Sequence, residues 1–329
     1  MYKRQLQALL NFPHNKVKHL QRRLNKKFKE NFITRTITTI KDDDDRQFWR
    51  IVQSGATIEA GARLEAIPDG EGIDMPTHNF SNAIRNRLHI PHPYNSPDTP
   101  CNCGTVHQVD QHGIHLQMCR HENKWIVCHE HVVAEIRSMA QAACLTAQPH
   151  NVRVSIDPRD GRRGDLNIIE SGHKNLVIDV QITNTCSDPN IERKPGAAAK
   201  LSETRKNTKY ANTVKQLGGT FFAFSVEVQG RYGEQAQKLF NYLVQQLSSA
   251  TGVRAHVAKK YWARRIACTI QNKVAEAQQF KAARIRTTEF SMAYDAKETM
   301  YIETDTSGAG MVGDNSTTHW EQGMETFDI

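Results

Sequence analysis

Asp165 and Asp179 stand with thirteen residues between them in the run Arg162-Arg-Gly-Asp-Leu-Asn-Ile-Ile-Glu-Ser-Gly-His-Lys-Asn-Leu-Val-Ile-Asp-Val-Gln-Ile-Thr183. The midpoint is Gly172, inside a Ser-Gly-His-Lys stretch of the kind that joins two strands. Folding about Gly172 sets Asp165 across from Asp179, Leu166 against Ile178 and Ile168 against Leu176. Strand alternation then gathers the apolar residues on one face and Asp165, Asn167, Asp179 and Gln181 on the other. Opposed Cβ atoms in such a pair lie roughly 5 Å apart. Two carboxylates that close repel unless positive charge lies between them. A divalent cation, Mg²⁺, held by Asp165 and Asp179 is the expectation, and metal-assisted phosphodiester hydrolysis is the chemistry. The plain alternative is two solvent-facing strand aspartates.

Such a site usually also needs a lysine to orient or deprotonate the attacking water. Two residues after Asp179 stands Gln181, which brings no positive charge. The next source is the helix expected over 196–216, where Glu203, Lys206 and Tyr210 share a face and Lys200 and Lys209 flank it. Glu135, in the helix before the strands, is a further candidate for a metal or water contact.

The elements that must position these groups are legible as hydrophobic periodicity. From Trp125 to Cys144, Ile126, Val132, Val133, Ile136, Met139 and Ala143 give a helical stripe. Strands are expected over Val152–Ile156, Asp165–Ile169 and Leu176–Thr183, then a helix over 196–216, a strand over Thr220–Glu227 and a helix over Glu234–Ser248. That order describes an α/β fold, a mixed sheet flanked by helices. Residues 254–288 read as one long basic helix or two.

A second chemistry-bearing cluster lies upstream. Cys101-Asn-Cys103-Gly followed by His115-Leu-Gln-Met-Cys119 supplies three thiolates and an imidazole, a ligand set for tetrahedral structural Zn²⁺. His107, His112 or His121 could stand in for His115, and the Cys-x-Cys spacing is tighter than the common Cys-x2-Cys. The alternative is a loop of reduced cysteines and surface histidines. Seven cysteines, an odd count, argue against a disulfide framework, and Cys128, Cys144, Cys186 and Cys268 read as plain buried or half-buried thiols.

The net charge of +8 is unevenly spread. Residues 1–50 carry thirteen Lys and Arg against five acids, four of them in the Asp42–Asp45 run, which reads as a solvated break. Residues 254–286 carry nine Lys and Arg against Glu276 alone, while residues 301–329 have six acids and no Lys or Arg. Two basic zones suit a polyanion such as DNA, or RNA, although solvated helix surface is the commoner fate of a charge run. A basic amphipathic helix is expected over 15–31, with Val17, Leu20, Leu24 and Phe28 on its apolar face. No apolar run approaches a membrane span, and Met-Tyr-Lys-Arg-Gln-Leu lacks a signal peptide's apolar stretch, so a soluble intracellular protein is expected; a nuclear location is a separate expectation.

Ala60-Gly-Ala-Arg-Leu-Glu-Ala-Ile-Pro68, Phe80-Ser-Asn-Ala-Ile-Arg-Asn-Arg-Leu88, Cys101-x-Cys-Gly and His115-x3-Cys119 together resemble the region downstream of the reverse transcriptase in certain non-LTR retrotransposon proteins. There it leads into a restriction-like endonuclease of the PD-(D/E)XK type. Arg163-Gly-Asp165, Ile178-Asp-Val180, Lys206-x2-Lys209-Tyr210 and Phe222-Ala-Phe-Ser-Val-Glu-Val-Gln-Gly230 continue the series, so the resemblance covers roughly residues 55–285. It implies Zn²⁺ on Cys101, Cys103, His115 and Cys119, catalytic Mg²⁺ on Asp165 and Asp179, and a lysine from the 200–209 helix. Gly164 replaces the usual Pro, and Gln181 a common Thr. No Tyr/Phe-x-Asp-Asp motif is present, so a reverse transcriptase or a retroelement ribonucleoprotein would be a separate partner. The expected organisation is a basic helical arm (1–54), a helical segment and Pro-rich linker (55–95), a zinc knuckle (96–122), an endonuclease core (123–250), basic helices (251–290) and an acidic tail (291–329).

Overall fold

Alternating apolar residues build the sheet on which everything else is hung. The computed structural model describes residues 43–66, 73–93, 95, 101, 103, 109–119, 124–155, 157, 159–169, 175–186 and 195–304. Strands β1 (Thr146–Arg153), β2 (Arg163–Ile169), β3 (Asn175–Thr183) and β4 (Thr220–Glu227) form one sheet in the order β1-β2-β3-β4. The β1–β2 and β2–β3 pairs are antiparallel and β3–β4 is parallel, so the sheet is mixed. Leu166 pairs with Ile178 and Ile168 with Leu176, the register expected from the alternation. The connecting turn at Gly172 lies outside the described residues, as do the expected helix over 15–31 and residues 305–329 of the tail.

Helices cover both faces. Among the described residues, α1 (Asp43–Ser54), α2 (Ile58–Gly61), a 3-10 turn (Ala62–Glu65), α3 (Thr77–Leu88) and α4 (Ile114–Met118) precede α5 (Lys124–Ala142), which leads into the sheet. Helix α6 (Ala197–Gln216) crosses from β3 to the parallel strand β4; α7 (Glu234–Thr251) and α8 (Ala255–Thr304) follow. On one face Leu166, Ile168, Ile178 and Val180 pack with Val132 and Ile136 of α5, Leu239 and Phe240 of α7, and Ile266 of α8. On the other, Val154, Val177, Phe221 and Ala223 pack with Tyr210 and Val214 of α6. Each such buried aliphatic or aromatic side chain contributes about 1.5–3 kcal/mol. A one-residue slip of β2 or β3 would exchange the two faces, so this burial enforces the register.

Two expectations change. The first strand runs over Thr146–Arg153 rather than Val152–Ile156. It hydrogen-bonds to β2 alone, and an edge strand tolerates Pro149 and polar residues that a central strand would not. The Asp42–Asp45 run, expected as a break, instead leads into α1, which starts at Asp43. Carboxylates in a first turn favour the positive end of the helix dipole.

The basic stretch is one helix, Ala255–Thr304. The chain divides into two units, Met1–Ile285 and Arg286–Ile329, and the sheet and both sites below lie in the first. Among the described residues no helix is long and apolar enough to cross a membrane.

Candidate functional site

Asp165 and Asp179 are the next residues beyond Leu166 and Ile178, the outermost β2–β3 pair. Gly164 permits this close approach: a Cβ there would lie 2.8 Å from Val177 Cγ1 and 3.4 Å from the Ile178 carbonyl. Where the backbone ladder stops, a side chain takes over, and Val180 N–H donates to Asp165 Oδ2 at 2.7 Å. Asp165 is thus tied to the residue that follows Asp179.

Asp179 is 4 % exposed. Burial raises its carboxyl pKa, the Lys206 charge opposes that rise, and the nearby Asp165 charge adds to it; the net direction is upward. Lys206 Nζ lies 2.6 Å from Asp179 Oδ2. Of the three lysines expected from α6, Lys206 is therefore the one brought to the pair. Lys209 sits over the Tyr210 ring at 4.7 Å, and the charge of Lys200 acts on Glu234. Arg162 Nη1 donates to the Lys209 carbonyl, tying the start of β2 to α6.

The remaining expected residues serve elsewhere. Glu203, on the Lys206 face, accepts from the backbone N–H groups of Glu234, Gln235 and Ala236 at 3.1, 2.8 and 3.2 Å, capping α7. Gly233 leaves room for it, because a Cβ there would collide with the carboxylate. Gln181 donates to the Ile182 carbonyl at 3.1 Å. Glu135 is not brought to the pair: Arg265 takes its carboxylate at 2.8 and 3.2 Å, and Thr269 Oγ1 donates at 3.3 Å.

Helix α5 does reach the pair, through His129. Its Nε2 lies 3.1 Å from Asp165 Oδ2 and its Nδ1 3.1 Å from Glu130 Oε1. Burial, the largest effect, pulls the His129 pKa down, but hydrogen bonds and charge from Asp165 and Glu130 outweigh it and the net shift is upward. His129 and Glu135 are six positions apart, which places them about 120° apart round the helix. The sequence carried a signal: His129 precedes Val132, Val133 and Ile136 at helical spacing, a polar side chain on a core-facing stripe.

Two carboxylate oxygens are the hard donors that Mg²⁺ prefers. Neither Asp165 Oδ1 nor Asp179 Oδ1 takes a hydrogen bond from a described residue, so the donor set suits such an ion.

The cysteine-histidine cluster is assembled. Ligand atoms of Cys101, Cys103, His115 and Cys119 all lie within 4.8 Å of one another and could hold a metal such as Zn²⁺. Cys101 Sγ is 3.6 Å from Cys119 Sγ, and Cys103 Sγ is 3.5 Å from His115 Nε2. Bonds of about 2.0–2.3 Å to a tetrahedral zinc imply ligand separations of roughly 3.3–3.8 Å. Burial pushes the Cys101 thiol up to about 12, with Cys119 contributing further. Asp110 places His115 by accepting from the backbone N–H groups of His112, Ile114 and His115, the cap of α4. That role was missed; its signal was an Asp a few residues before a short helical run. His112 is not a ligand but stacks on His89 with ring centroids 3.6 Å apart. His107 and His121 lie outside the described residues. The cluster packs on Ala282 and Ile285 of α8, and Lys281 Nζ donates to the Leu116 and Cys119 carbonyls at 3.3 and 2.5 Å.

Compared with protein-family models and with curated proteins, the chain matches none.

Proposed function

We propose that this chain is a Mg²⁺-dependent endonuclease acting on DNA, with a PD-(D/E)XK-type core and an attached zinc knuckle, as the resemblance to retrotransposon endonucleases implies. The observation that carries the reading is Lys206 Nζ at 2.6 Å from Asp179, the residue next in register to Asp165. The helix–three strands–helix–strand order and the convergent cysteine cluster agree with it.

Asp165 and Asp179 would hold the ion. When bound, Mg²⁺ supplies an activated water and neutralises charge on the scissile phosphate. Lys206 keeps positive charge beside the carboxylates and offers N–H donors to a water or a phosphate oxygen. Its place on α6 answers the absence of charge at Gln181. The convergent thiols and imidazole would hold Zn²⁺, a crosslink that stabilises a polar segment with little core of its own. A nuclear address and a retroelement origin belong to the same reading.

Supercoiled plasmid incubated with the zinc-loaded protein and Mg²⁺ tests it. Nicking should appear, and Asp165→Ala should lower its rate at least 100-fold. A wild-type protein that binds DNA with steep salt dependence but never nicks it would instead support an inactive nucleic-acid-binding protein, the reading that Gln181 favours.

A further inference from the structure

Asp165 Oδ2 receives two donors from two different elements, and the second of them has no role in the proposed reaction so far. We propose that His129 is a positioning residue for the metal site, one that fixes the orientation of the Asp165 carboxylate. This inference rests on the endonuclease reading above.

The need for such a residue follows from where Asp165 sits. The outermost β2–β3 pair is Leu166 with Ile178, and Gly164 on the other side of Asp165 has no side chain to restrict it. One hydrogen bond, from Val180 N–H at 2.7 Å, holds Oδ2 but leaves the carboxylate free to rotate about that contact. His129 Nε2 at 3.1 Å is a second donor to the same oxygen from a different direction. With Oδ2 doubly held, Oδ1 is the oxygen left for a cation.

The donor is itself held firmly. His129 stands one turn before Val132 and Val133, which are buried in the main core. Its other ring nitrogen lies 3.1 Å from Glu130 Oε1, which restricts rotation of the ring. A histidine between two carboxylates, one of them a metal ligand, is the arrangement through which an outer residue sets a ligand's direction and basicity. His129 acts through Asp165 rather than on the ion. Among the described residues the zinc set alone gathers three or more ligand atoms, and His129, Asp165 and Asp179 do not form a second such group.

Binding of Mn²⁺ to the zinc-loaded full chain, followed by electron paramagnetic resonance, tests this without relying on activity. His129→Ala should weaken Mn²⁺ about 10-fold or more. His129→Gln, whose amide nitrogen reaches about as far as Nε2, should stay within about 3-fold of wild type. Both variants should melt at the same temperature. Wild-type affinity in His129→Ala, or equal loss in the Ala and Gln variants, would overturn the positioning role while leaving the endonuclease reading intact. A wild-type chain with no Mn²⁺ site sensitive to Asp179→Ala would remove both.

Discussion

The residue-scale question was which lysine serves the aspartates. Sequence spacing narrowed the choice to Lys200, Lys206 and Lys209 and could not go further, because all three lie on a weakly amphipathic helix. Which one faces β3 depends on how α6 packs, and that is fixed by Tyr210 and Val214 against Val177 and Phe221. Lys206 is the one that reaches Asp179. Lys206→Ala should therefore lower the nicking rate by about 10²-fold or more, the usual scale for a positioned proton donor or acceptor. Lys209→Ala and Lys200→Ala should change it by only a few-fold, and plasmid assays on the three variants check the ranking. The aspartates themselves were legible because strand alternation is strict. His129 was missed, although it stands as a polar residue on a core stripe. Glu135 was the candidate offered from that helix, but its carboxylate pairs with Arg265.

At the scale of elements, local patterns were readable where burial is regular and obscure where an element lies at an edge. Strand β4 and helix α7 have dense apolar periodicity, and their expected spans and that of α6 agree with the observed ones to within three residues at each end. Strand β1 has Pro149, His150 and Asn151 in its middle, and nothing local marks it as a strand. Its partner is β2 alone. Glu203 shows how a chemistry-bearing residue can belong to an element's end instead of a site. Its carboxylate caps α7, and burial, the largest effect, raises its pKa against the lowering by three backbone N–H donors. Glu203→Ala should destabilise the protein by about 1–3 kcal/mol, since it leaves those donors without their acceptor. Urea unfolding of the variant measures this. A loss of activity larger than the unfolded fraction explains would place Glu203 in the site after all.

Across the whole molecule, the charge pattern means something different from what its totals suggest. Among the described residues, basic groups over 254–286 pair within the protein: Lys259 with Glu59, Lys260 and Arg264 with Glu65, Arg265 with Glu135, Lys273 with Glu276, and Lys281 with backbone carbonyls. Helix α8 therefore spends much of its charge on holding α2, the 3-10 turn, α4 and α5 in place. Arg265→Ala strands Glu135, which is 9 % exposed, and should cost about 2–4 kcal/mol of stability. The slope of DNA affinity against salt should stay unchanged in that variant.

The central claim, that the aspartate pair is a metal-dependent phosphodiesterase site, is tested most directly by the initial rate of plasmid nicking. The comparison is between wild type and Asp179→Asn at matched zinc content, with and without Mg²⁺. Nicking is expected only in wild type with Mg²⁺, with the variant at least 100-fold slower. Equal Mg²⁺-dependent rates in the two proteins would contradict it.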